Sequence, residues 1–409
     1  MRPVFVIAGA SLAGASAAIT LRDEGFDGDI VLIGAEADLP YERPPLSKAY
    51  LRGEVAFESL LVRPAAFYEE RDIDLRLGVR VTAVDVAARQ VECDPGGRVA
   101  YDALLVATGG RNRRPRIPGL DLAGVYDLRT RGDADRLRTE LTPGRRAVVV
   151  GMGFIGCEVA ASLRTMGLEV VAVEPEKTPL FRVLGEEVGR ALERLHRDRG
   201  VHAHLGDAVA RFEGAGRVER VVTRGGRTIP CDLAVVGLGI EPATEIVAGT
   251  PVEVDNGIVV DELCRTNVGG VFAAGDVARH FHPVFGRHLR VEHWQNALKQ
   301  GAAAARSMLG RGRPYDEVHW FWSDQYDVNL QYAGFHTSWE RLVVRGSLDA
   351  RDGIAFYMNG RRIDAAVALN RPKDIRLAMP LIKRRADVDP EALRDPDVDL
   401  RRLARASAS

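Results

Sequence analysis

Short apolar runs closed by glycine punctuate the first two thirds of the chain. Val4–Ala8 runs into Gly9, and Ala147–Val150 into Gly151. Leu104-Leu105-Val106-Ala107-Thr108 runs into Gly109, Leu233–Val236 into Gly237, and Val271–Ala274 into Gly275. Apolar, β-branched runs of this length, bounded by a turn signal, predict strands buried on both faces, as in a parallel sheet. Small-residue helical stretches follow two of them, one through Ala15, Ala17 and Ala18 to Leu21, the other from Phe154 to about Gly167. Past about residue 317 the pattern changes. Strands are predicted at Arg341–Ser347, Gly353–Met358 and Ile363–Ala368, then a basic helical stretch. The apolar start, Val4–Ala10, is read as a strand rather than a signal-peptide core, because it enters a glycine turn directly. No apolar run is long enough to predict a membrane span.

Each of two glycine turns sits inside a strand–turn–helix–strand unit. Gly9-Ala10-Ser11-Leu12-Ala13-Gly14 is followed by a helix, a strand at Ile30–Ile33 and Glu36, 22 residues after Gly14. Gly151-Met152-Gly153-Phe154-Ile155-Gly156 is followed by a helix, a strand at Glu169–Val173 and Glu174, 18 residues after Gly156. This is the outline of a dinucleotide-binding unit. Glycines let backbone N–H groups approach a pyrophosphate at a helix N-terminus, and the acid accepts hydrogen bonds from the adenosine ribose. Ser11 replaces the middle glycine of the first copy, and strain is expected there. Two such units predict two cofactors, and flavin with nicotinamide is the pairing most used in redox chemistry.

A length of 409 residues predicts two or three domains. Lys+Arg 56 against Asp+Glu 57 leaves a net charge of −1, which points to neither nucleic acid nor a membrane surface. The four cysteines, Cys93, Cys157, Cys231 and Cys264, are far apart, so neither a disulfide framework nor a zinc pattern is expected, and a reducing cytoplasm fits. His202-Ala203-His204 and His280-Phe281-His282 look like metal pairs on strands, but neither has a third ligand at convincing spacing, so no metal site is expected.

Further segments are distinctive: Pro40-Tyr41-Glu42-Arg43-Pro44-Pro45-Leu46-Ser47-Lys48, Ala107-Thr108-Gly109, Leu128-Arg129-Thr130, Ala274-Gly275-Asp276, Glu292-His293-Trp294-Gln295-Asn296-Ala297 and Phe321-Trp322-Ser323-Asp324-Gln325-Tyr326. On these residues nearly the whole chain resembles the two-dinucleotide-binding flavoprotein reductases. Within them it looks most like the NADH:ferredoxin reductases of oxygenase systems, the putidaredoxin reductase and rhodocoxin reductase type. The resemblance implies an α/β fold of two Rossmann-like, three-layer domains, the second inserted in the first, plus a C-terminal α+β interface domain. The FAD domain would take residues 1–112 and 240–316, the NAD domain 113–239 and the interface domain 317–409.

The resemblance also implies site residues. FAD would be held by Gly9, Ser11, Leu12, Ala13, Gly14, Glu36, Arg43, Lys48, Val81, Ala107, Thr108, Gly109, Arg129, Gly275, Asp276, Glu292, His293, Trp294 and Ala297. Among these, Asp276 would bind the ribityl chain, and the helix opening at Val291–Trp294 would aim its positive end at the flavin N1/O2 edge. NAD would be held by Gly151, Gly153, Phe154, Ile155, Gly156, Glu158, Glu174, Arg182, Gly237 and Gly239. Lys48 would lie beside the isoalloxazine and pair with Glu158, and Trp322 would face the iron–sulfur partner; these three are the catalytic candidates. Glu174-Pro175-Glu176 favours NADH, because a carboxylate repels a 2′-phosphate.

Disulfide reductases of this superfamily need a C-x-x-C, which is absent, so electrons are expected to leave without thiol chemistry. A [2Fe–2S] ferredoxin is the expected acceptor. Such partners are acidic, and the most basic stretch of the C-terminal region, Arg361, Arg362, Arg371, Lys373, Arg376, Lys383, Arg384 and Arg385, is the expected dock. A diaphorase or oxidase, and a flavoprotein like apoptosis-inducing factor, remain alternatives. A monomer or weak homodimer is expected.

Overall fold

The computed structural model describes residues 2–406 and divides into two compact units. The first contains the chain up to Glu42, then Phe57–Arg111 and Glu241–Phe321. The second contains Arg43–Ala56, Asn112–Ile240 and the chain from Trp322 onward. The three domains expected from sequence are thus distributed over two units, and residues 43–56 go with the second.

A five-stranded parallel sheet forms the centre of the first unit, in the order Val271–Ala273, Ala103–Val106, Val4–Ala8, Asp29–Gly34, Ile73–Leu77. Side chains alternate across a strand, so the unbroken apolar runs feed two cores. Phe5, Ile7, Ile30, Leu32 and Leu105 meet Ala17 and Leu21 of helix Leu12–Asp23 and Ala304 and Ala305 of helix Trp294–Met308. Val6, Ala8, Val31, Ile33, Leu104 and Val106 pack instead on Val81, Val84 and Val91 of the antiparallel strands beyond. Each fully buried aliphatic side chain contributes about 1.5–3 kcal/mol. The two helices approach closely because residue 301 is glycine: a Cβ there would lie 2.2 Å from the Ala13 carbonyl oxygen.

The second unit repeats the parallel sheet, in the order Val201–Leu205, Glu169–Glu174, Arg146–Val150, Leu233–Val236, Val125–Asp127. Its C-terminal part is antiparallel. Strands Val328–Gly334, Arg362–Leu369, Asp352–Asn359 and Arg341–Ser347 lie side by side, and helix Pro372–Lys383 packs on the first two. Strand Trp320–Gln325 completes this sheet. The pattern predicted the last three strands in chain order and missed Trp320–Gln325 and Val328–Gly334. In Trp320–Gln325 the buried positions are Phe321, Ser323 and Gln325. Two polar residues at core positions erase the hydropathy alternation that marks a strand. Among the described residues no helix is long and apolar enough to cross a membrane.

Candidate active site

Both parallel sheets end in the same construction. In the first unit Gly9 N–H donates to the Ile33 carbonyl and Ala107 N–H to the Ala8 carbonyl, both at 2.8 Å. In the second, Gly151 N–H donates to Val173 and Gly237 N–H to Val150, again at 2.8 Å. Gly9 and Gly151 have φ of 120° and 90°, a region other residues avoid. A Cβ on Gly9 would sit 2.2 Å from the Ala107 oxygen, and on Gly151 2.5 Å from the Gly237 oxygen. The third glycines, Gly14 and Gly156, each have the oxygen of the first glycine 1.9 Å from where a Cβ would stand. The turns are therefore as tight as backbone allows. Helices Leu12–Asp23 and Phe154–Thr165 start immediately behind them, with first-turn N–H groups that have no partner inside the helix. Each cradle fits a dinucleotide pyrophosphate.

The middle position obeys no such constraint. Ser11 has φ −99° and ψ −165°, Gly153 φ −71° and ψ −172°, both extended and open to any residue. A Cβ on Gly153 would meet nothing within 4 Å. The strain expected at Ser11 is absent, because close approach of the chain at this position does not require a positive φ.

The acids behind the cradles are anchored. Glu36 accepts the Tyr41 hydroxyl at 2.6 Å. Glu174 is buried and accepts Met152 N–H at 2.5 Å and Glu176 N–H at 2.9 Å, one on each oxygen. It thereby latches the second glycine loop to its strand, and each oxygen keeps a lone pair for a ribose hydroxyl. Arg182, an expected NAD ligand, is spread over Glu176 at 2.7 Å with its side chain 78% exposed.

In the first unit, Thr108 Oγ1 donates to the Ala243 carbonyl at 2.6 Å, next to Gly109 with φ 69°. Gly275 N–H donates to Gln300 Oε1 at 2.8 Å, which positions the short turn carrying Asp276. Arg290 donates to Glu292 at 2.6 Å. His293 is the N-cap of helix Trp294–Met308, and Ala297 turns toward the core. The Val81 side chain is in the core, so only its backbone is available to a ligand.

In the second unit, Arg43 donates to the Arg129 carbonyl at 2.7 Å. Thr130 and Asp133 cap helix Arg131–Arg138 reciprocally, which explains the Leu128-Arg129-Thr130 segment as a helix start. Gly239 has φ 82°. Glu158 stands one turn into helix Phe154–Thr165, behind the second cradle, and is 4% exposed. Lys48 Nζ reaches its Oε2 at 2.8 Å, Ser47 Oγ donates to the same oxygen, and Ser323 Oγ donates to Oε1 at 2.8 Å. The chain of polar groups continues inward. Gln325 Nε2 donates to Ser323 Oγ at 3.2 Å, and Gln325 Oε1 meets His196 Nε2 at 3.0 Å. Burial pulls the His196 imidazole down to about 4, keeping it neutral. Ser47, Ser323, Gln325 and His196 were not among the expected site residues. Their sign in the sequence is polarity inside otherwise apolar patterns, as in Phe321-Trp322-Ser323. Trp322, which was expected, is half-buried on the opposite strand face from Ser323.

No cysteine is set up for redox work. Cys157, Cys231 and Cys264 are buried, and Cys93 is half-buried. Burial raises all four thiols, Cys231 to about 12.

Two dinucleotide cradles on successive parallel sheets define a class, and comparison with known proteins agrees. The chain belongs to the pyridine nucleotide-disulphide oxidoreductase family, which residues 3–301 match; residues 320–404 match the reductase C-terminal family. It is 40% identical over 397 residues to rhodocoxin reductase of Rhodococcus erythropolis, covering 97% of this chain and 93% of that protein. It is 42% identical over 400 residues to the ferredoxin–NAD(+) reductase component of the anthranilate 1,2-dioxygenase system of Burkholderia cepacia, covering 97% and 98%. In structure it is similar to a chain of the covalent putidaredoxin reductase–putidaredoxin complex, with a TM-score of 0.97, 35% identity, and 100% and 99% of the two chains covered.

Proposed function

We propose that this chain is an FAD-dependent NADH:ferredoxin reductase that supplies single electrons to a [2Fe–2S] ferredoxin serving an oxygenase. The observation that carries the reading is the combination of two equivalent cradles with a buried Lys48–Glu158 pair and no C-x-x-C among the four cysteines. When bound, FAD supplies the conversion of a two-electron donor into a one-electron donor. The loop Gly9–Gly14 holds its pyrophosphate, and Glu36 its ribose. The loop Gly151–Gly156 holds that of NADH, with Glu174 on the ribose hydroxyls and set against a 2′-phosphate. Lys48, pinned by Glu158 one turn into helix Phe154–Thr165, provides a fixed positive charge there, where little reorganisation is needed. The lack of a C-x-x-C pair leaves disulfide exchange without its paired thiols, which separates this chain from the disulfide reductases that share its family name. The proposed layout is an FAD domain at 1–112 and 240–316, an NAD domain at 113–239 and a C-terminal domain at 317–409.

For the ferredoxin dock, the basic stretch needs revision. Arg371 is committed to Asp352 at 2.6 and 2.9 Å, and Arg361 to Asp387 at 2.5 Å. Asp352 and Asp387 thus neutralise part of the charge the sequence displays. Arg362, Lys373 and Arg376 are exposed and form no ion pair among the described residues, while Lys383, Arg384 and Arg385 are exposed at the helix end. These six are the proposed steering surface.

Anaerobic titration of the FAD-loaded protein with NADH, then mixing with a purified [2Fe–2S] ferredoxin in a stopped flow, tests the reading. Bleaching of the cluster at a rate that sustains turnover is expected. Fast reduction of oxygen or quinone with no transfer to ferredoxin overturns it in favour of a diaphorase.

A further inference from the structure

The second histidine pair acquires in space what it lacks in sequence. His280 and His282 are two apart on strand Ala278–His282 and so share a face. His319, from the segment ahead of strand Trp320–Gln325, meets them there. All three are fully buried, at 0% exposure. Ring centroids lie 5.6 Å apart for His280–His282, 5.3 Å for His280–His319 and 4.9 Å for His282–His319. One nitrogen from each ring falls within 4.8 Å of the other two. Tyr315 lies edge-on to His280 at 5.5 Å, and Phe285 packs on His282 at 4.7 Å.

Neither ring nitrogen of His319 or of His280 meets hydrogen-bond geometry with any partner; the backbone of Leu289, the cross-strand neighbour of His280, is near that ring but outside such geometry. A neutral imidazole presents one donor and one acceptor, and each buried polar group left unsatisfied costs about 1–3 kcal/mol. Phenylalanine or leucine would fill these positions at no such cost. Three buried rings converging on one point, with His282 Nε2 2.9 Å from the Glu317 carbonyl and the His293 ring 6.4 Å from that of His319, therefore call for a polar occupant.

We propose that His280, His282 and His319 form a tris-histidine site for a divalent first-row transition metal, with zinc as its resident ion. Zinc–imidazole bonds of about 2.0–2.1 Å place ligand nitrogens roughly 3.4 Å apart in a tetrahedron. Ring rotation that draws the nitrogens in by up to about 1.4 Å, with a bound water as the fourth ligand, closes the site. Zinc has no redox chemistry, so it neither takes nor diverts electrons in a chain that carries them. Its full burial makes the role structural: the ion ties strand Ala278–His282 to the Tyr315–His319 segment. The proposal does not depend on the identity of the electron acceptor.

The test uses the FAD-loaded full chain, stripped with dipicolinate and dialysed against Zn²⁺. Expected results are one zinc per chain by mass spectrometry, a zinc K-edge absorption spectrum showing three imidazole nitrogens at about 2.0 Å, and a thermal midpoint that rises with zinc. His319→Gln and His280→Gln should each lose the ion while keeping the flavin absorbance that reports a folded first unit. The double variant His202→Ala/His204→Ala, at the partly exposed pair on strand Val201–Leu205, should keep it. If a glutamine variant fails to fold, the spectrum and the midpoint shift of the unaltered protein decide alone. Substoichiometric zinc on folded protein, which leaves ordered water as the occupant, or zinc retained by folded His319→Gln, overturns the proposal.

Discussion

Lys48 Nζ lies 2.8 Å from Glu158 Oε2, with the two side chains only 11% and 4% exposed. Removing one member of such a pair strands the other without water. Lys48→Met should lower stability by about 3 kcal/mol, and the double variant Lys48→Met/Glu158→Gln should recover most of that loss. Urea unfolding of the unaltered chain, Lys48→Met, Glu158→Gln and the double variant measures the coupling. Simple additivity would show that Ser47 and Ser323 alone satisfy the carboxylate. In the same variants flavin reduction by NADH should slow by at least about tenfold.

The two cradles make a sharper prediction through glycines that look alike in sequence. Gly156→Ala drives a Cβ to 1.9 Å from the Gly151 oxygen, whereas Gly153→Ala meets nothing within 4 Å. Gly156→Ala should abolish measurable NADH binding. Gly153→Ala should leave the thermal midpoint unchanged and weaken NADH only through crowding at the phosphates. Fluorescence titration and a melting curve for each variant check this, and equal damage from both would refute it.

The chemistry of the fingerprints was legible because backbone demands it: φ of 120° and 90° at Gly9 and Gly151, and the contact distances at Gly14 and Gly156, leave no other residue. Apolar strands such as Val4–Ala8 were legible because both faces are buried. What was hidden depends on partners distant in the chain. Ser323 reads as a polar surface residue until Glu158 is opposite it, and His282 as half of a failed pair until His319 arrives. Arg371 and Arg361 read as free cations because nothing local reveals Asp352 or the turn that brings Asp387 back.

Cofactor choice should follow Glu174 and Glu176. NADH should exceed NADPH in kcat/KM by about a hundredfold, since a 2′-phosphate would face both carboxylates. Glu174→Ala unlatches Met152 and should lower kcat/KM with either cofactor. Glu176→Ala frees Arg182 and should raise kcat/KM for NADPH about tenfold. Steady-state kinetics with both nucleotides decide it, and a native preference for NADPH would overturn the assignment.

Stability should fall in mild acid. His196 is held neutral, down at about 4, by burial, against an ordinary 6.5. Between pH 6.5 and 4 the unfolded chain binds a proton that the folded one refuses. His196 therefore supports the fold above pH 6.5, and its contribution, roughly 3 kcal/mol at most, drains away as pH drops toward 4. The groups facing it, Gln325 and the Tyr326 hydroxyl at 3.3 Å, stay neutral throughout. His196→Gln should show a shallower loss of unfolding free energy across that range.

Electron delivery to the ferredoxin should be salt-dependent. Lys373→Glu and Arg376→Glu should each lower kcat/KM for ferredoxin several-fold at low salt, with the difference shrinking as the Debye length falls below about 8 Å. Arg371→Ala should change the rate little, since its guanidinium is already engaged. Rates insensitive to ionic strength would remove the basic stretch from the docking surface.

The seat shared by Ser11 and Gly153 is under no compulsion from the chain itself. Whatever stands there answers only to the guest, so a hydroxyl can be traded in or out at no risk to folding. For anyone wishing to retune how firmly this scaffold grips its coenzymes, those two places are where the lock can be recut while the door stays hung.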